Sequence, residues 1–169
     1  NLYAGGGLGY VAKWNDTIWQ PLGQGSNALN AIGGINSLVK DRAGNIYAAG
    51  GFTNASGKPY VAKWNGTGWS EVGGPNGLNA NQSIHSIAVD FSGNVYATGA
   101  FTNGAGKHYI ARWNGSMWAE IAVPNVPIVS NRTYLTTDSR GFILAGIYDQ
   151  HNLDSFLTRW NGTNWIDLG

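Results

Sequence analysis

The stretch Tyr-Val-Ala-Lys-Trp-Asn at Tyr10–Asn15 returns unchanged at Tyr60–Asn65. Related versions follow, with Tyr-Ile-Ala-Arg-Trp-Asn at Tyr109–Asn114 and Phe-Leu-Thr-Arg-Trp-Asn at Phe156–Asn161. A second tryptophan follows the first after five residues in every copy. The two sets are Trp14, Trp64, Trp113 and Trp160, and Trp19, Trp69, Trp118 and Trp165, each spaced by 50, 49 and 47 residues. A period of this length is typical of solenoids, propellers and repeat arrays.

Composition favours a β-rich repeat protein and excludes several classes of function. Glycine makes up 26 of 169 residues, and charged residues are only 11%, against about 25% in an average protein. The formal net charge of +1 and the scattered Lys and Arg residues give no basis for nucleic-acid binding. No apolar run approaches the roughly 20 residues that span a bilayer, so no membrane insertion is expected. The chain has no cysteine, and no cofactor is expected.

The third repeat shows the strand pattern most clearly. It reads as four short strands at Ile84–Asp90, Asn94–Phe101, Tyr109–Trp113 and Trp118–Ile121. The first two are joined by an Asp-x-x-Gly turn and the last two by an Asn-Gly hairpin signal. Four antiparallel strands in each repeat of this length are typical of a propeller blade. An α-solenoid is excluded by the glycine content and the lack of a 3.6-residue period, and a β-helix has a much shorter repeat.

The fold class predicted is therefore all-β, a β-propeller of four-stranded blades about 49 residues long. The single domain 1–169, a whole propeller or a segment of one, would contain blades at about 1–22, 35–73, 84–122 and 133–169. The first blade lacks its innermost strand. We expect that place to be filled by residues of a longer parent chain or by a second copy, because an unpaired inner edge is a liability.

Strand parity places the two tryptophans of each repeat on one face of the blade, close enough to touch. Their simplest role is to fill the space between blades, and a platform for stacking sugars is the alternative. Basic residues recur on the opposite face from acidic ones, which predicts ion pairs between neighbouring blades. The basic set is Lys63, Arg112 and Arg159, and the acidic set is Glu71, Glu120 and Asp167.

No catalytic or metal site is expected. The recurring carboxylates Asp41, Asp90 and Asp138 each begin an Asp-x-x-Gly turn, where they would accept hydrogen bonds from turn amides. An enzyme needs a unique, asymmetric group of residues, so residues repeated in every blade indicate a structural role. The three histidines have no partner at metal-ligand spacing.

The loops offer candidate ligand-binding residues. Connections between blades (24–30, 75–81 and 124–131) and loops inside blades (53–58 and 102–107) should emerge on the same side of the disc. They carry amides, lysines and nearby tyrosines suited to neutral sugar hydroxyls, although Asn and Gly are also ordinary loop formers. The candidates are Asn30, Asn54, Lys58, Tyr60, Asn79, Asn103, Lys107 and Tyr109.

The run Asp-Phe-Ser-Gly-Asn-Val-Tyr-Ala-Thr-Gly at Asp90–Gly99 resembles the repeat of secreted bacterial seven-bladed β-propellers. The run Ala62–Gly73 is similar to Kelch-like propeller repeats of cell-surface and secreted proteins. In blade size the chain is also similar to lectin propellers of the tachylectin type, by analogy alone. The last repeat departs from the pattern, with Phe142-Ile143-Leu144 where the others begin Asn-x-Tyr.

These resemblances imply a secreted or cell-surface binding module whose partner is a glycan or a cell-surface protein. We expect lectin-like binding of glycans through repeated loop sites. The alternative is a structural or protein-interaction propeller segment in a larger adhesin or extracellular filament.

Overall fold

Four antiparallel sheets make up the protein in a computed structural model that describes residues 1–7, 9–121, 133–149 and 154–169. The first sheet contains β1 (Tyr3–Gly5), β2 (Val11–Trp14) and β3 (Trp19–Pro21). The second contains β4 (Ile35–Lys40), β5 (Ile46–Gly50), β6 (Ala62–Trp64) and β7 (Trp69–Glu71). The third contains β8 (Ile84–Val89), β9 (Val95–Gly99), β10 (Ile110–Trp113) and β11 (Trp118–Ile121). The fourth contains β12 (Thr133–Thr137), β13 (Ile143–Asp149), β14 (Asp154–Trp160) and β15 (Trp165–Asp167).

Each sheet is a meander whose strands pair in sequence order. The main contacts between sheets join consecutive ones, through β1 and β4, β4 and β8, and β8 and β12. The first strand of each four-stranded sheet is therefore the inner one, and the outer strands follow in order. The predicted fold class is confirmed: the chain is all-β, built of propeller blades, and the first blade has three strands. Each sheet lies within one of the predicted blade ranges.

The Asp-x-x-Gly corners are held by their aspartates, as predicted. In the third blade, Asp90 Oδ1 accepts the amide N–H of Asn94 at 2.9 Å, and Oδ2 accepts its side-chain N–H at 2.6 Å. The Tyr96 hydroxyl also donates to Oδ2, at 3.0 Å. Gly93 has a φ of +83°, a conformation that glycine adopts without a steric penalty. The carboxylates therefore serve the turns.

Close backbone approach explains a second glycine position. The inner strand of the third blade is irregular between Ile84 and Ser86, where its register with β9 shifts. This shift brings the inner strand against Gly99, the last residue of β9. A Cβ on Gly99 would collide with the carbonyl oxygen of Ser83 and lie 2.8 Å from the amide nitrogen of His85. Gly50 has the same role in the second blade, against Gly34.

The core consists of the layers between blades. Between the second and third blades, Tyr47, Val61 and Val72 belong to one buried cluster with Ile87 and Val95. A matching cluster of Tyr96, Ile110, Ile121, Ile143 and Ile147 lies between the third and fourth blades. Each blade therefore presents one apolar face to the blade before it and another to the blade after it.

The tryptophan pairs contribute to these layers. Trp64 and Trp69 are direct cross-strand partners with ring centroids 5.8 Å apart. The indole N–H of Trp69 donates to the carbonyl oxygen of Leu22, in the preceding blade, at 2.8 Å. The predicted shared face is thus confirmed, and this face of the second blade packs against the first blade.

The prediction of ion pairs between neighbouring blades is wrong for the described residues. Glu71 and Glu120 accept hydrogen bonds from asparagines of their own blades instead. The basic residues lie over aromatic rings of their own blades, with Arg112 Cζ 5.9 Å from the Tyr96 ring centroid and Lys63 Nζ 5.6 Å from that of Tyr47. Parity predicted the faces correctly, but the described long side chains contact partners within their own blades.

Candidate functional site

The loop between the second and third strands of the third blade is organised by Asn103. Its side-chain oxygen accepts the amide N–H groups of Ala105 at 3.0 Å and Lys107 at 3.1 Å. Its backbone N–H donates to the carbonyl oxygen of Lys107 at 2.9 Å. Gly106 closes the turn with a φ of +73°. Asn103 therefore fixes the shape of the loop through its side-chain oxygen and its backbone N–H. Its side-chain N–H₂ group takes no part in these bonds.

That amide group joins the loop to the outermost strand. Asn103 Nδ2 lies 3.2 and 3.1 Å from the two carboxylate oxygens of Glu120, in β11. Asn54 and Glu71 repeat the contact in the second blade, at 3.3 and 3.1 Å. A carboxylate has about four acceptor sites, so these bonds leave lone pairs on the glutamate for a ligand hydroxyl. Sequence reasoning missed the glutamates as site residues, although Glu71 and Glu120 each stand 17 residues after the asparagine and share the tryptophan face.

The predicted tyrosines are packed edge-on against phenylalanines. Tyr109 lies 4.9 Å from Phe101 at an interplanar angle of 81°, and Tyr60 lies 5.0 Å from Phe52 at 89°. Burial, followed by the negative charge of Glu120, raises the pKa of Tyr109 above its ordinary value. Burial and Glu71 raise the pKa of Tyr60 in the same way. Both phenols are therefore neutral at physiological pH and can donate a hydrogen bond.

A cleft of about 890 Å³ opens on the third blade beside these groups. It brings together three of the predicted residues, Asn79, Asn103 and Tyr109, with Glu120 and the half-buried Trp118. The complete lining is Pro75, Asn76, Gly77, Leu78, Asn79, Thr102, Asn103, Gly104, Tyr109, Ala111, Ser116, Met117, Trp118, Ala119 and Glu120. The loop after the second blade and the loop inside the third blade thus emerge on the same side, as expected.

Asn79 reaches the cleft through an unusual backbone conformation. Its φ is +52°, in the left-handed region, where asparagine is enriched among residues with a side chain. Its side-chain N–H donates to the carbonyl oxygen of Gly77 at 3.1 Å. The preceding turn, Gly74–Asn76, is a short 3-10 segment containing proline. The chain therefore folds back over the cleft, with an exposed amide at its rim.

The other predicted residues lie elsewhere. Asn30, Lys58 and Lys107 are exposed and do not line the cleft. Asn54 and Tyr60 make the second blade's version of the loop contacts. In the fourth blade Phe156 replaces the tyrosine and Asp167 replaces the glutamate, while the predicted loop 124–131 lies outside the described residues. The third blade thus has the most complete set of predicted groups around one cleft.

Two further properties bear on function. Among the described residues, no group of three or more His, Asp or Glu side chains is placed to hold a metal ion. No helix in that part of the chain is long and apolar enough to cross a membrane.

The fold and cleft describe a β-propeller-type protein with a polar, half-open site, and solved structures resemble it in fold. No protein-family model and no curated protein sequence matches the chain. A fucose lectin from Kordia zhangzhouensis, solved with methyl-fucoside, aligns with a TM-score of 0.49 and 18% identity, over 78% of this chain and 95% of that one. A protein of unknown function from Dyadobacter fermentans aligns with a TM-score of 0.50 and 13% identity, over 95% of this chain and 58% of that one. The chain thus spans 58% of the Dyadobacter protein's length, and at this identity the likeness concerns the fold.

Proposed function

We propose that the protein is a carbohydrate-binding module that takes a neutral sugar in the cleft of the third blade. The observation that carries the proposal is the Asn103–Glu120 pair beside Tyr109, because it presents oriented amide, carboxylate and phenol groups to one open space. Sugar hydroxyls can both donate and accept, so they match such a set. A hydroxyl donating to a carboxylate makes a strong, charge-assisted hydrogen bond.

The cleft also has an apolar side. Trp118, Met117 and Leu78 line it together with the polar groups. Aromatic rings provide large, rigid apolar surfaces that pack against the C–H faces of sugar rings. Ligand sites typically combine such an apolar lining with a few placed polar groups. The cleft is open to solvent rather than enclosing, which favours weak binding, at about 1 mM, corresponding to about −4 kcal/mol.

The proposal includes repeated sites and an extracellular location. The second blade repeats the asparagine, glutamate and tyrosine in the same contacts, so we propose a second, related site there. Glycans are displayed on cell surfaces, so a module of this kind would act outside the cell or at its surface. The expected partner is a glycan, and the role is binding rather than catalysis.

A glycan array followed by calorimetry tests the proposal. The calorimetric panel contains simple methyl glycosides, including methyl fucoside because the Kordia lectin was solved with it. Glu120→Gln removes one charged acceptor and should weaken binding at the third-blade site by about tenfold or more, as expected for a hydrogen bond to a charged group, while the second-blade site is unchanged. Tyr109→Phe should also weaken binding. Asp167→Asn, the same charge change at the equivalent position of the fourth blade, is the matched control.

A blank array at millimolar sugar would overturn the proposal. The same number of sites and the same affinities in the Glu120→Gln protein and the control would show that the sugar does not bind in this cleft. A structural or protein-interaction role is the second candidate, and it is favoured by the large apolar side chains exposed on the first and fourth blades. That role predicts a blank array together with association through those surfaces.

A further inference from the structure

Every blade has two faces with different chemistry. We call the face that carries the tryptophan pair the Trp face, and the opposite one the back face. In the second and third blades the Trp face packs on the blade before, as shown by the hydrogen bonds from Trp69 to Leu22 and from Trp118 to Val72. In the fourth blade Trp160 and Trp165 pack against the cluster that contains Ile110 and Ile121 of the third. The back face of each of the first three blades therefore receives the Trp face of the next.

The back face of the fourth blade is exposed although it carries the same kind of side chains. Leu157 and Leu168 occupy the positions that Ile110 and Ile121 hold in the third blade. Ile110 is 0% and Ile121 8% exposed, whereas Leu157 is 43% and Leu168 45% exposed. A surface cavity of about 740 Å³ lies on this face beside Leu157. The fourth blade thus keeps the apolar surface of a packed blade without a described blade on it.

The Trp face of the first blade is the matching exposed surface. Trp19 is 44% exposed and Tyr10 is 39% exposed. Together with Ala4, Gly5 and Ala12 they line a cavity of about 370 Å³. Trp14 and Trp19 are paired as in the other blades, with ring centroids 5.6 Å apart. This face therefore has the form that packs on a back face elsewhere in the molecule.

We propose that a second copy of this chain docks the Trp face of its first blade onto the back face of the fourth blade. The contact repeats the three interfaces that already join the blades. In two of those, a tryptophan indole donates to a carbonyl oxygen three residues after the outer tryptophan of the blade before, from Trp69 to Leu22 and from Trp118 to Val72. Between the third and fourth blades Trp165 packs in the shared apolar cluster without such a bond among the described residues. The corresponding unused pair is the Trp19 indole N–H of one copy and the Leu168 carbonyl oxygen of the other.

The inner strand shows that the fourth blade's back face suits a three-stranded blade. In the second and third blades a serine at this position binds the next inner strand: Ser37 Oγ accepts the Ile87 N–H at 3.1 Å and Ser86 Oγ accepts the Leu135 N–H at 2.9 Å. In the fourth blade the same position holds Tyr134, which is 64% exposed. Among the described residues, the first blade has three strands and no inner strand to receive such a bond. In the proposed contact Tyr134 would fill the space beside that blade, which a serine is too small to do.

A contact between unlike faces is heterologous, and it joins copies head to tail. An open chain of copies therefore retains one free face of each kind at its two ends until a ring closes. This geometry gives a test that a symmetric dimer would fail. Trp19→Ala disables only the Trp face, and Leu157→Asp disables only the back face. Each variant still carries one intact face, so a mixture of the two should form a one-to-one complex.

Sedimentation velocity of the 169-residue protein from about 1 to about 200 μM, a range that brackets modest interfaces, measures the association. The unmodified protein should associate with rising concentration. Each single variant alone should associate at least about tenfold more weakly, because an unpaired charge or a lost aromatic ring at a buried interface is costly. A mixture of the Trp19→Ala and Leu157→Asp proteins should form one interface, between the intact back face of the first variant and the intact Trp face of the second. Ile32→Asp, at an exposed apolar residue of the blade connection, is the control and should associate like the unmodified protein.

Circular dichroism and melting curves verify that the variants fold, and Leu168→Asp replaces Leu157→Asp if that protein is unfolded. A protein that stays monomeric at every concentration would overturn the proposal, whether its faces stay bare or close on each other within one chain. A mixture that fails to form the one-to-one complex would also overturn it. Neither outcome depends on sugar binding, so this test and the glycan test can fail separately.

Discussion

Trp118 of the third blade donates its indole N–H to the carbonyl oxygen of Val72, at the outer edge of the second blade, over 3.1 Å. The bond spans 46 residues of sequence. It adds to the apolar packing between the two sheets and to the hydrogen bond that joins their inner strands, from the Ile87 N–H to Ser37 Oγ. The Trp69–Leu22 bond repeats it one blade earlier, at 2.8 Å. The tryptophans thus position one blade against the next.

The first prediction concerns this bond. Trp118→Phe keeps an aromatic ring but removes the N–H, and should lower the free energy of unfolding by about 1 kcal/mol. Trp118→Ala also removes the packing and should cost about 3 kcal/mol. Urea unfolding measures both. Trp19→Phe, at the exposed copy of the position, is the control, measured at a concentration where the protein is monomeric. An equal loss in Trp118→Phe and Trp19→Phe would show that the bond contributes nothing.

The second prediction concerns Ser86, whose hydroxyl is buried between the inner strands of the third and fourth blades. Its Oγ accepts the Leu135 N–H at 2.9 Å and donates to the Leu135 carbonyl at 3.3 Å. Ser86→Ala leaves both backbone groups without this partner, so it should cost about 1–3 kcal/mol. Ser70→Ala, at an exposed strand position, should stay within about 0.5 kcal/mol. A Ser86→Ala protein as stable as this control would contradict the role assigned to the hydroxyl.

The third prediction compares two glycines. Gly99→Ala forces a methyl group into the backbone of Ser83 and His85, so it should destabilise the protein by about 1–3 kcal/mol, as other overpacking changes do. Gly104 has open space around its Cβ position and no left-handed backbone. Gly104→Ala should therefore change stability by less than about 0.5 kcal/mol. Thermal melting of the two proteins measures the difference, and equal melting temperatures would refute the close approach.

The fourth prediction concerns alkaline pH. Burial raises the pKa of Tyr96, and the charge of Asp90 and its hydrogen bond raise it further. A folded-state pKa above the unfolded value favours folding only while the phenol is protonated. This contribution is fully present below pH about 10, the ordinary tyrosine pKa, and is lost as the pH rises towards the folded-state value. Stability should fall less between pH 9 and pH 11 in Tyr96→Phe than in the unmodified protein.

Urea unfolding at the two pH values measures this difference, and Tyr134→Phe controls for the loss of an exposed hydroxyl. The same fall in stability in the unmodified and Tyr96→Phe proteins would contradict the prediction. Tyr47, which donates to Asp41 in the second blade, should behave like Tyr96.

Much of this architecture is predictable from the sequence, because the same pattern occurs in several repeats and each repeat supports the same inference. The spacing of Trp14, Trp64 and Trp113 predicts the blades, and strand parity predicts the paired rings. The cleft is less predictable. It depends on the positive φ of Asn79 and on the segment that leads from the outer strand to the turn Gly74–Asn76, which is one residue longer before the corresponding turn, Gly25–Asn27, after the first blade. Pattern alone cannot set such a loop conformation, because a one-residue change redirects the side chains that follow.

The partners of the long charged side chains could not be predicted from the sequence either. Parity decides which face of a sheet carries Glu120 and which carries Arg112, but it does not decide how far each side chain extends. The glutamate reaches Asn103 on the same blade, and the arginine lies over Tyr96. A neutral hydrogen-bond donor lies within reach of Glu120, and a ring face lies within reach of Arg112. An exposed ion pair between blades would have stabilised the fold by only about 0–1 kcal/mol.

The hydrogen bonds that cross between blades each reach one repeat along the chain, from Trp118 back to Val72 and from Leu135 back to Ser86. Every blade therefore recognises a neighbour of the same design rather than a particular position in the molecule. Removing a whole repeat, such as residues 73–121, would bring the Trp face of the fourth blade to the back face of the second and recreate an equivalent joint. Duplicating a repeat would do the same. Such a chain can gain or lose blades by recombination without needing a new kind of interface. The number of blades can therefore change in evolution more readily than the structure of a single blade.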